Sequence, residues 1–283
     1  MKNLIIVLTL GVLLALAASQ GSAIYAGIPV FALCAALAFL VQWLAFIPAY
    51  RFQTEKFYDL TGSFTYLSVV ALALTLSGAS DPRSQLLALC VAVWAVRLGT
   101  FLFRRILQDG EDTRFAKIKP DAMRFFFTWT LQGLWVLMTA SCALAGITSA
   151  NRVELGLIDG IGLALFVIGF LIEAVADHQK RVFREREGSD GFITTGLWAY
   201  SRHPNYFGEI MLWCGIALLA LPTFIGWQWV TLVSPVFVYV LLTRISGVPL
   251  LERKSDKRWG EDPSYQAYKA RTSVLVLRPR RES

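Results

Sequence analysis

The chain has 283 residues, of which 55% are hydrophobic and 17% charged, and its mean hydropathy is +0.53. These values lie outside the usual range of soluble domains and indicate a protein embedded in a lipid bilayer. The net charge of +7 is accounted for by basic residues in membrane loops, so no nucleic-acid partner is predicted.

The first element is a short apolar segment that runs from Leu4 to Ala18 and follows Lys2. Small residues come after it in "AASQGSA", as they do before the cleavage point of a secretory signal. The segment is therefore either such a signal or an additional membrane segment within residues 1–22. The second interpretation is the one we favour.

Seven longer windows follow, each with the roughly 20 apolar residues that a helix needs to cross a bilayer. They cover residues 27–49, 57–78, 84–107, 124–147, 156–180, 205–221 and 224–245. The sequence therefore predicts an all-α fold, a polytopic membrane bundle of about seven transmembrane helices. We expect one integral membrane domain over residues 1–283, because no soluble domain or internal repeat is visible.

Lysine and arginine concentrate in three stretches of the chain, which hold 21 of the 27 basic residues: 104–124, 180–202 and 244–283. These stretches follow the third, fifth and seventh windows and so lie on one side of the membrane, which the positive-inside rule makes the cytoplasm. We predict a multi-pass protein of the bacterial inner membrane. Its functional site should face the cytoplasm, where the long polar loops lie.

The second window begins with polar residues in "QTEKFYDLTGSFTY". Gln53, Glu55 and Tyr58 are candidate catalytic residues, because an ionisable group beside a membrane span is costly unless it is paired or hydrated. A surface salt bridge from Glu55 to Lys56 or Arg51 would also explain the acid.

Arg97 lies deep in the third window, in "CVAVWAVRLGTFLFRR". Long basic side chains near a span end reach back to the interface, which explains Arg104 and Arg105 but not Arg97. An anion bound deep on the cytoplasmic side would explain Arg97, so this residue is a candidate for binding a cofactor.

The fifth window ends in "IEAVADHQKRVFRERE", in which charged residues three or four positions apart share one stripe of a helix. They are Glu173, Asp177, Lys180, Arg181 and Arg184. A solvated helix end with internal ion pairs would have this pattern. The same stripe could offer an acid to hydroxyl groups and two arginines to phosphates.

The sixth window is entered through "GLWAYSRHPNYFGEI". Pro204 can start a helix whose free N–H groups attract anions. The polar residues around it are candidates for binding a cofactor: Tyr200, Arg202, His203, Asn205 and Glu209. Arg244, near the end of the last window, is a further candidate.

No metal site is predicted. Four cysteines lie in apolar windows without CxxC spacing, and the two histidines form no recognisable ligand motif. The tail, residues 246–283, mixes charge with Trp259, Tyr265 and Tyr268. It is interpreted either as an interfacial segment that binds lipid headgroups or as a lid over a cofactor.

Several blocks resemble one membrane superfamily, which is shared by steroid 5α-reductases, sterol reductases and isoprenylcysteine carboxyl methyltransferases. They are "GLWAYSRHPNYFGEIMLW", "ADHQKRVFR" and "YQAYKA…VLRP". The blocks "EKFYDLTGSFTYL" and "SGVPLLE" are similar to the bacterial steroid 5α-reductase-like branch. The resemblance covers most of the chain beyond residue 50.

The resemblance implies NADPH bound from the cytosol in a seven-helix bundle. It also implies reduction of the C4–C5 double bond of a 3-oxo-Δ4 steroid or a related lipophilic enone that arrives through membrane lipid. Six positions match cofactor-binding residues of that family: Arg97, Asp177, Arg184, Asn205, Glu209 and Arg244. A protonated Glu55, or a neighbouring tyrosine, would donate a hydrogen bond to the C3 carbonyl.

Two departures from the family pattern concern the catalytic residues. Thr54 separates Gln53 from Glu55, where the family has a Gln-Glu dipeptide. The family tyrosine that partners the acid falls on Trp94, so Tyr58 or Tyr66 is expected to replace it.

Two alternatives remain open. An S-adenosylmethionine-dependent methyltransferase would share the Arg-His-Pro block and the tyrosine-containing tail, but the arginine-rich set suits a polyphosphate better than a sulfonium cofactor. A transporter or lipid-binding membrane protein is the non-enzymatic alternative, although the sequence lacks the inverted repeats that such folds often have.

Overall fold

The computed structural model describes residues 1–112, 115–188 and 191–279 of the chain. The predicted all-α membrane bundle is confirmed, since sheet is limited to a two-stranded hairpin of Ile24–Tyr25 (β1) and Ile28–Pro29 (β2). The α-helices are α1 (Lys2–Ala18), α2 (Val30–Arg51), α3 (Tyr58–Ser77), α4 (Pro82–Asp109), α5 (Ala122–Thr148), α6 (Leu157–Glu187), α7 (Pro204–Ala220), α8 (Val233–Val240), α9 (Val248–Trp259) and α10 (Pro263–Arg271).

Seven helical segments within the described residues are long and apolar enough to cross a membrane, as predicted. They are α2 to α6, α7 with its short extension to Thr223, and the segment Gly226–Trp259. The chain is therefore an integral, multi-pass membrane protein. Helix α6, which corresponds to the fifth predicted window, continues to Glu187, beyond the predicted end at residue 180, because its charged last turns keep a helical pattern.

The seventh span is less regular than its apolar window predicts. It starts as a 3₁₀ helix over Gly226–Leu232, continues as α8 and ends in a π turn over Leu241–Ile245. The N–H of Ser246 donates to the carbonyl of Leu241 at 2.9 Å, the wide spacing of a π turn. Such turns often mark functional positions, and this one contains Arg244.

The helix ends follow local sequence signals. Asp81 caps α4 by accepting a hydrogen bond from the N–H of Ser84, with proline at the next position. Asp121 caps α5 in the same way, through the N–H groups of Met123 and Arg124. Gly78 ends α3 in the left-handed conformation, with φ of 59°.

Contacts divide the chain into two compact units. One unit comprises Met1–Asp159 and Ile216–Ser234, and the other comprises Gly160–Gly215 and Pro235–Ser283. In the first unit α5 is the central helix, and it packs against α1, α2, α3 and α4.

The N-terminal segment is a 17-residue helix that packs within the first unit. At Gly11 the helix passes so close to the ring of Phe39 that an added Cβ would lie 2.8 Å from it. Gln20, just after the helix, accepts a hydrogen bond from the N–H of Trp227 at 2.6 Å. The segment therefore packs as part of this unit, and its assignment as an additional membrane helix stays a prediction.

In the second unit, α6 and α7 meet through glycines. A Cβ added to Gly208 would lie 2.5 Å from the carbonyl oxygen of Gly169, and one added to Gly215 would lie 2.5 Å from that of Gly162. Small residues of this kind let membrane helices approach backbone to backbone. The close approach fixes the first half of α7 against the middle of α6, next to the turn that carries Asp177.

Candidate functional site

The loop that precedes α7 is held against the end of α6. Gly196 has φ of 61°, a left-handed conformation that favours glycine, and the following N–H, of Leu197, donates to Gln179 Oε1 at 3.0 Å. The indole of Trp198 donates to the carbonyl of Ala176 at 3.0 Å. These bonds give the loop a defined position on α6.

The C-terminal tail is fastened to the same loop. The hydroxyl of Tyr268, on α10, donates to the carbonyl of Trp198 at 2.7 Å. The N–H of Arg202 donates to the carbonyl of Ser273 at 2.8 Å, so the two segments pair like short parallel strands. The tail is therefore held against the loop that carries the candidate residues of this unit.

Glu252, on α9, contacts basic side chains of both the loop and the tail. Its carboxylate lies 2.9 Å from Arg202 Nη1, 2.9 Å from His203 Nε2 and 3.3 Å from Lys269 Nζ. The Arg202 contact has ion-pair distance but not hydrogen-bond alignment. The sequence marked Arg202, His203 and Glu252 separately, with Glu252 expected to pair with Arg244. The contact of Glu252 with Arg202 and His203 was not predicted, because Glu252 lies far from both in the chain.

The imidazole of His203 is neutral, and one of its two nitrogens has no hydrogen-bond partner among the described residues. Burial lowers the pKa of His203 and outweighs the hydrogen bond and charge of Glu252, which act to raise it. A neutral ring that donates through Nε2 to a carboxylate leaves Nδ1 as a bare acceptor. Among the described residues Nδ1 finds no partner, and His203 is only 5% exposed.

Arg202 also keeps an unused donor. Its side chain is 11% exposed, and its Nε has no acceptor within the part of the chain that the structure describes. A buried donor and a buried acceptor on consecutive residues are costly without partners. Unused buried polar atoms of this kind are expected where a ligand completes the hydrogen bonds.

Asp177 and Asn205 come together across α6 and α7. The amide of Asn205 donates to Asp177 Oδ1 at 3.2 Å, and Asp177 is buried. The bond joins two residues that the sequence analysis selected independently on different helices. Glu209 follows one turn later on α7 and is half-buried.

The remaining basic candidates of this unit are exposed. Arg181 Nη2 lies 3.1 Å from His178 Nδ1, and its Nε lies 3.9 Å from Glu185. Arg184 is exposed on the same helix, and Arg244 is exposed in the π turn. The side chain of Tyr200 is also exposed, at 49%. Arg97 belongs to the other unit, on α4, with its guanidinium 5.7 Å from the ring centre of Phe101.

Glu55, in the first unit, is buried in an ion pair. Its Oε2 lies 2.5 Å from Lys119 Nζ, and its Oε1 accepts the N–H of Asp112 at 2.9 Å. Burial raises the pKa of Glu55, but the hydrogen bonds from Lys119 and Asp112 outweigh it, so the pKa is lowered overall. The carboxyl is therefore ionised here, in disagreement with the expectation of a protonated acid. Lys119 was missed because it lies far along the chain.

The other two catalytic candidates, Gln53 and Tyr58, differ in exposure. Gln53 is exposed, with φ of 49°, and its amide donates to the carbonyl of Tyr50 at 2.8 Å. Tyr58 is buried, and its hydroxyl donates to the carbonyl of Thr128 at 3.0 Å. Its ring meets that of Trp129 edge-on at 5.0 Å.

Trp94, which the sequence analysis matched to the family tyrosine, is buried on α4. The ring of Tyr66 meets its indole edge-on, with centres 5.1 Å apart and planes at 90°. Tyr66, which the sequence analysis named as a possible replacement, therefore contacts the residue that it would replace.

Comparison with known proteins supports the resemblance. A family described as "Protein of unknown function (DUF1295)" matches residues 45–272. An uncharacterised protein of Schizosaccharomyces pombe is 24% identical over 66% of this chain and 61% of its own length. No solved structure gives a significant match.

Two relatives carry names that describe a reaction. Steroid 5-alpha-reductase DET2 of Solanum lycopersicum is 32% identical over 36% of this chain and 37% of its own length. Human 3-oxo-5-alpha-steroid 4-dehydrogenase 1 is 45% identical over 20% of this chain and 23% of its own length. The matched part thus spans less than two thirds of each of these relatives.

Proposed function

The chain belongs to the DUF1295 family, and we propose that it is an NADPH-dependent reductase of lipophilic enones. The substrate class is a 3-oxo-Δ4 steroid or a related lipid, reduced at its C4–C5 double bond. The observation that carries the proposal is the contact of loop and tail residues with Glu252, in which buried polar atoms of Arg202 and His203 have no hydrogen-bond partner among the described residues. The relatives of this membrane protein include reductases.

The donor set fits a nucleotide. His203 Nδ1 can accept a hydrogen bond and Arg202 Nε can donate one, which suits an amide or ribose group. Arginine forks suit phosphates, and the exposed Arg181, Arg184 and Arg244 are proposed for that role. The proposed set in this unit is completed by Asp177, Tyr200, Asn205 and Glu209. Arg97, on α4 of the other unit, stays a prediction from the family resemblance.

The proposed reaction needs a hydrogen-bond donor at the C3 carbonyl. NADPH, when bound, supplies the hydride that adds at C5. Charge then develops on the C3 oxygen, and a positioned donor stabilises it as an enolate. Because the pKa of Glu55 is lowered, we propose that Glu55 and Lys119 act as a pair in which the lysine carries the proton.

The other chain groups have supporting roles in this proposal. The N–H of Tyr58 donates to the carbonyl of Glu55 at 2.8 Å, and Gln53 lies on the turn that leads into Glu55, so both are proposed to position the pair. Protonation at C4, by solvent or a tyrosine, completes the addition of two hydrogens. The proposed compartment is the bacterial inner membrane, with the cofactor taken from the cytoplasm.

The cofactor is tested by thermal unfolding of the detergent-solubilised protein with NADPH or with S-adenosylmethionine. We expect NADPH to raise the Tm and S-adenosylmethionine to leave it unchanged. Incubation with NADPH and progesterone or testosterone should then yield a product heavier by two hydrogens in mass spectrometry. A rise in Tm with S-adenosylmethionine alone would favour a methyltransferase and contradict the proposal.

The catalytic pair is tested by Glu55→Gln and Lys119→Met. Each variant should lose turnover while keeping the rise in Tm that NADPH causes, because the pair is proposed to contact the substrate. Lys117→Met, an exposed lysine two residues away, is the matched control and should behave as the wild type. Wild-type turnover in both pair variants would remove them from the mechanism.

A further inference from the structure

A cavity lies beside the end of α10, in the unit that contains the tail. Its volume is about 280 Å³. Aromatic, hydroxyl and basic side chains line it: Phe192, Thr194, Ser264, Tyr268, Arg271 and Thr272. These lining residues include no group of the proposed cofactor set, so the cavity requires an explanation of its own.

Thr272, one of the lining residues, has a buried hydroxyl without a hydrogen-bond partner in the described part of the chain. The residue is 6% exposed, and its backbone N–H already donates to the carbonyl of Tyr268 at 3.0 Å. Its Oγ1, however, finds no hydrogen-bond partner among the described residues. A buried hydroxyl without a partner is destabilising, so a ligand that supplies the partner is expected.

Arg271, the next residue along the cavity wall, provides positive charge. Its Nε donates to the carbonyl of Ala267 at 3.2 Å, and it forms no ion pair within the described part of the chain. The two terminal nitrogens therefore remain available to an acceptor. By contrast, the neighbouring Lys269 has its charge balanced by Glu252 and Asp256.

We propose that this cavity binds a phosphoryl group. The terminal nitrogens of Arg271 can hold two phosphate oxygens as a fork, and the hydroxyl of Thr272 can donate to a third. A tetrahedral phosphate offers oxygens in several directions, whereas a planar carboxylate offers two in one plane. The rings of Phe192 and Tyr268 form the apolar part of the wall.

The size of the cavity limits the ligand. It lies just below the range of about 300–1,000 Å³ usual for small-molecule sites, so it can take a phosphate with a small attached group but not a whole dinucleotide. A whole NADPH molecule therefore does not fit in this cavity, and phosphate binding can be tested in the absence of the cofactor. A lipid headgroup and a soluble phosphorylated compound share this chemistry.

The test uses the full chain in neutral detergent. Inorganic phosphate should raise the Tm more than sodium chloride of equal ionic strength does. Arg271→Gln should weaken the apparent affinity for phosphate by about tenfold or more, since it removes charge-assisted hydrogen bonds. Arg253→Gln, an exposed arginine on α9, is the matched control and should respond as the wild type.

Thr272→Val separates binding from folding. Without phosphate, this variant should have an unchanged or higher Tm, because it removes a buried hydroxyl that has no partner. With phosphate, its response should be smaller than that of the wild type. An equal response to phosphate in the wild type, Arg271→Gln and Thr272→Val would overturn the proposal, as would a wild-type response no larger than that to sodium chloride.

The source of the phosphate is identified with nanodiscs of phosphatidylcholine, with or without phosphatidic acid. If the headgroup occupies the cavity, phosphatidic acid should raise the Tm of the wild type but not of Arg271→Gln, and should abolish the response to inorganic phosphate. If the ligand is soluble, the response to inorganic phosphate should persist in both nanodiscs. Both results support the cavity as a phosphoryl site.

Discussion

Two arginine–carboxylate clusters, one buried in the first unit and one partly buried in the second, differ in how many of their polar atoms have hydrogen-bond partners. In the first unit, Arg83 and Asp159 are 1% and 4% exposed and form two parallel bonds, Nε to Oδ1 at 3.0 Å and Nη2 to Oδ2 at 2.7 Å. Arg83 Nη1 donates to the carbonyl of Val153, and the N–H of Gly156 donates to Asp159 at 2.7 Å.

In the second unit, Glu252 holds Arg202 and His203, but Arg202 Nε and His203 Nδ1 stay unused among the described residues. A buried ion pair whose donors and acceptors all have partners within the protein offers no hydrogen bond to a ligand. A cluster in which some donors or acceptors lack partners can still form hydrogen bonds with a ligand. The difference distinguishes the structural pair from the candidate site more clearly than charge or burial does.

The largest expected effect comes from breaking the satisfied pair. Arg83→Met leaves the Asp159 carboxylate buried and unpaired, which should lower the free energy of unfolding by about 3–5 kcal/mol. Chemical unfolding in detergent measures the loss. Arg124→Met, which breaks the exposed pair with Asp121, should cost less than about 1 kcal/mol. Similar losses in both variants would contradict the distinction.

Glu252→Gln should cost less than Arg83→Met, about 1–3 kcal/mol, because the cluster is already incompletely satisfied and lies nearer to solvent. The variant should also reduce the rise in Tm with NADPH, since Arg202 and His203 lose their common partner. Glu185→Gln, at an exposed carboxylate, is the control for both measurements. An undiminished response to NADPH would separate the cluster from cofactor binding.

The close packing of α6 and α7, the helices beside the second cluster, can be tested by its contribution to stability. Gly208→Ala places a methyl group 2.5 Å from the carbonyl oxygen of Gly169, so the helices must separate, at a cost of about 1–3 kcal/mol. Gly160→Ala, on α6 with no neighbour within 4 Å of its added Cβ, should be neutral or slightly stabilising. Thermal unfolding of the two variants checks this contrast.

The smallest expected effect is a pH dependence of stability that arises from His203 in the second cluster. The pKa of His203 is lowered from 6.5 by burial, so the unfolded chain binds the proton more readily than the folded chain. Stability is therefore complete above about pH 6.5 and falls as the pH decreases towards the folded pKa. His203→Gln should reduce this slope in the Tm, whereas His178→Gln, at the exposed histidine, should retain it.

Much of the fold could be predicted from the sequence, because a membrane span needs a long apolar window and the chain contains seven. The helix starts at Asp81 and Asp121 also follow local capping patterns. The irregular seventh span could not be foreseen, since an apolar window has the same composition whether its backbone forms α, 3₁₀ or π turns.

The candidate site likewise contains residues that the sequence marked and contacts that it did not predict. The block around His203 and the charged end of α6 were visible as polar residues beside apolar windows. Their partners were not, because Glu252 lies 49 residues beyond His203, and Glu55 pairs with Lys119 in a distant loop. Local pattern determined which elements form and which residues are polar. The tertiary structure determined which charges meet, and thus which are satisfied, because packing brings together residues that no sequence spacing connects.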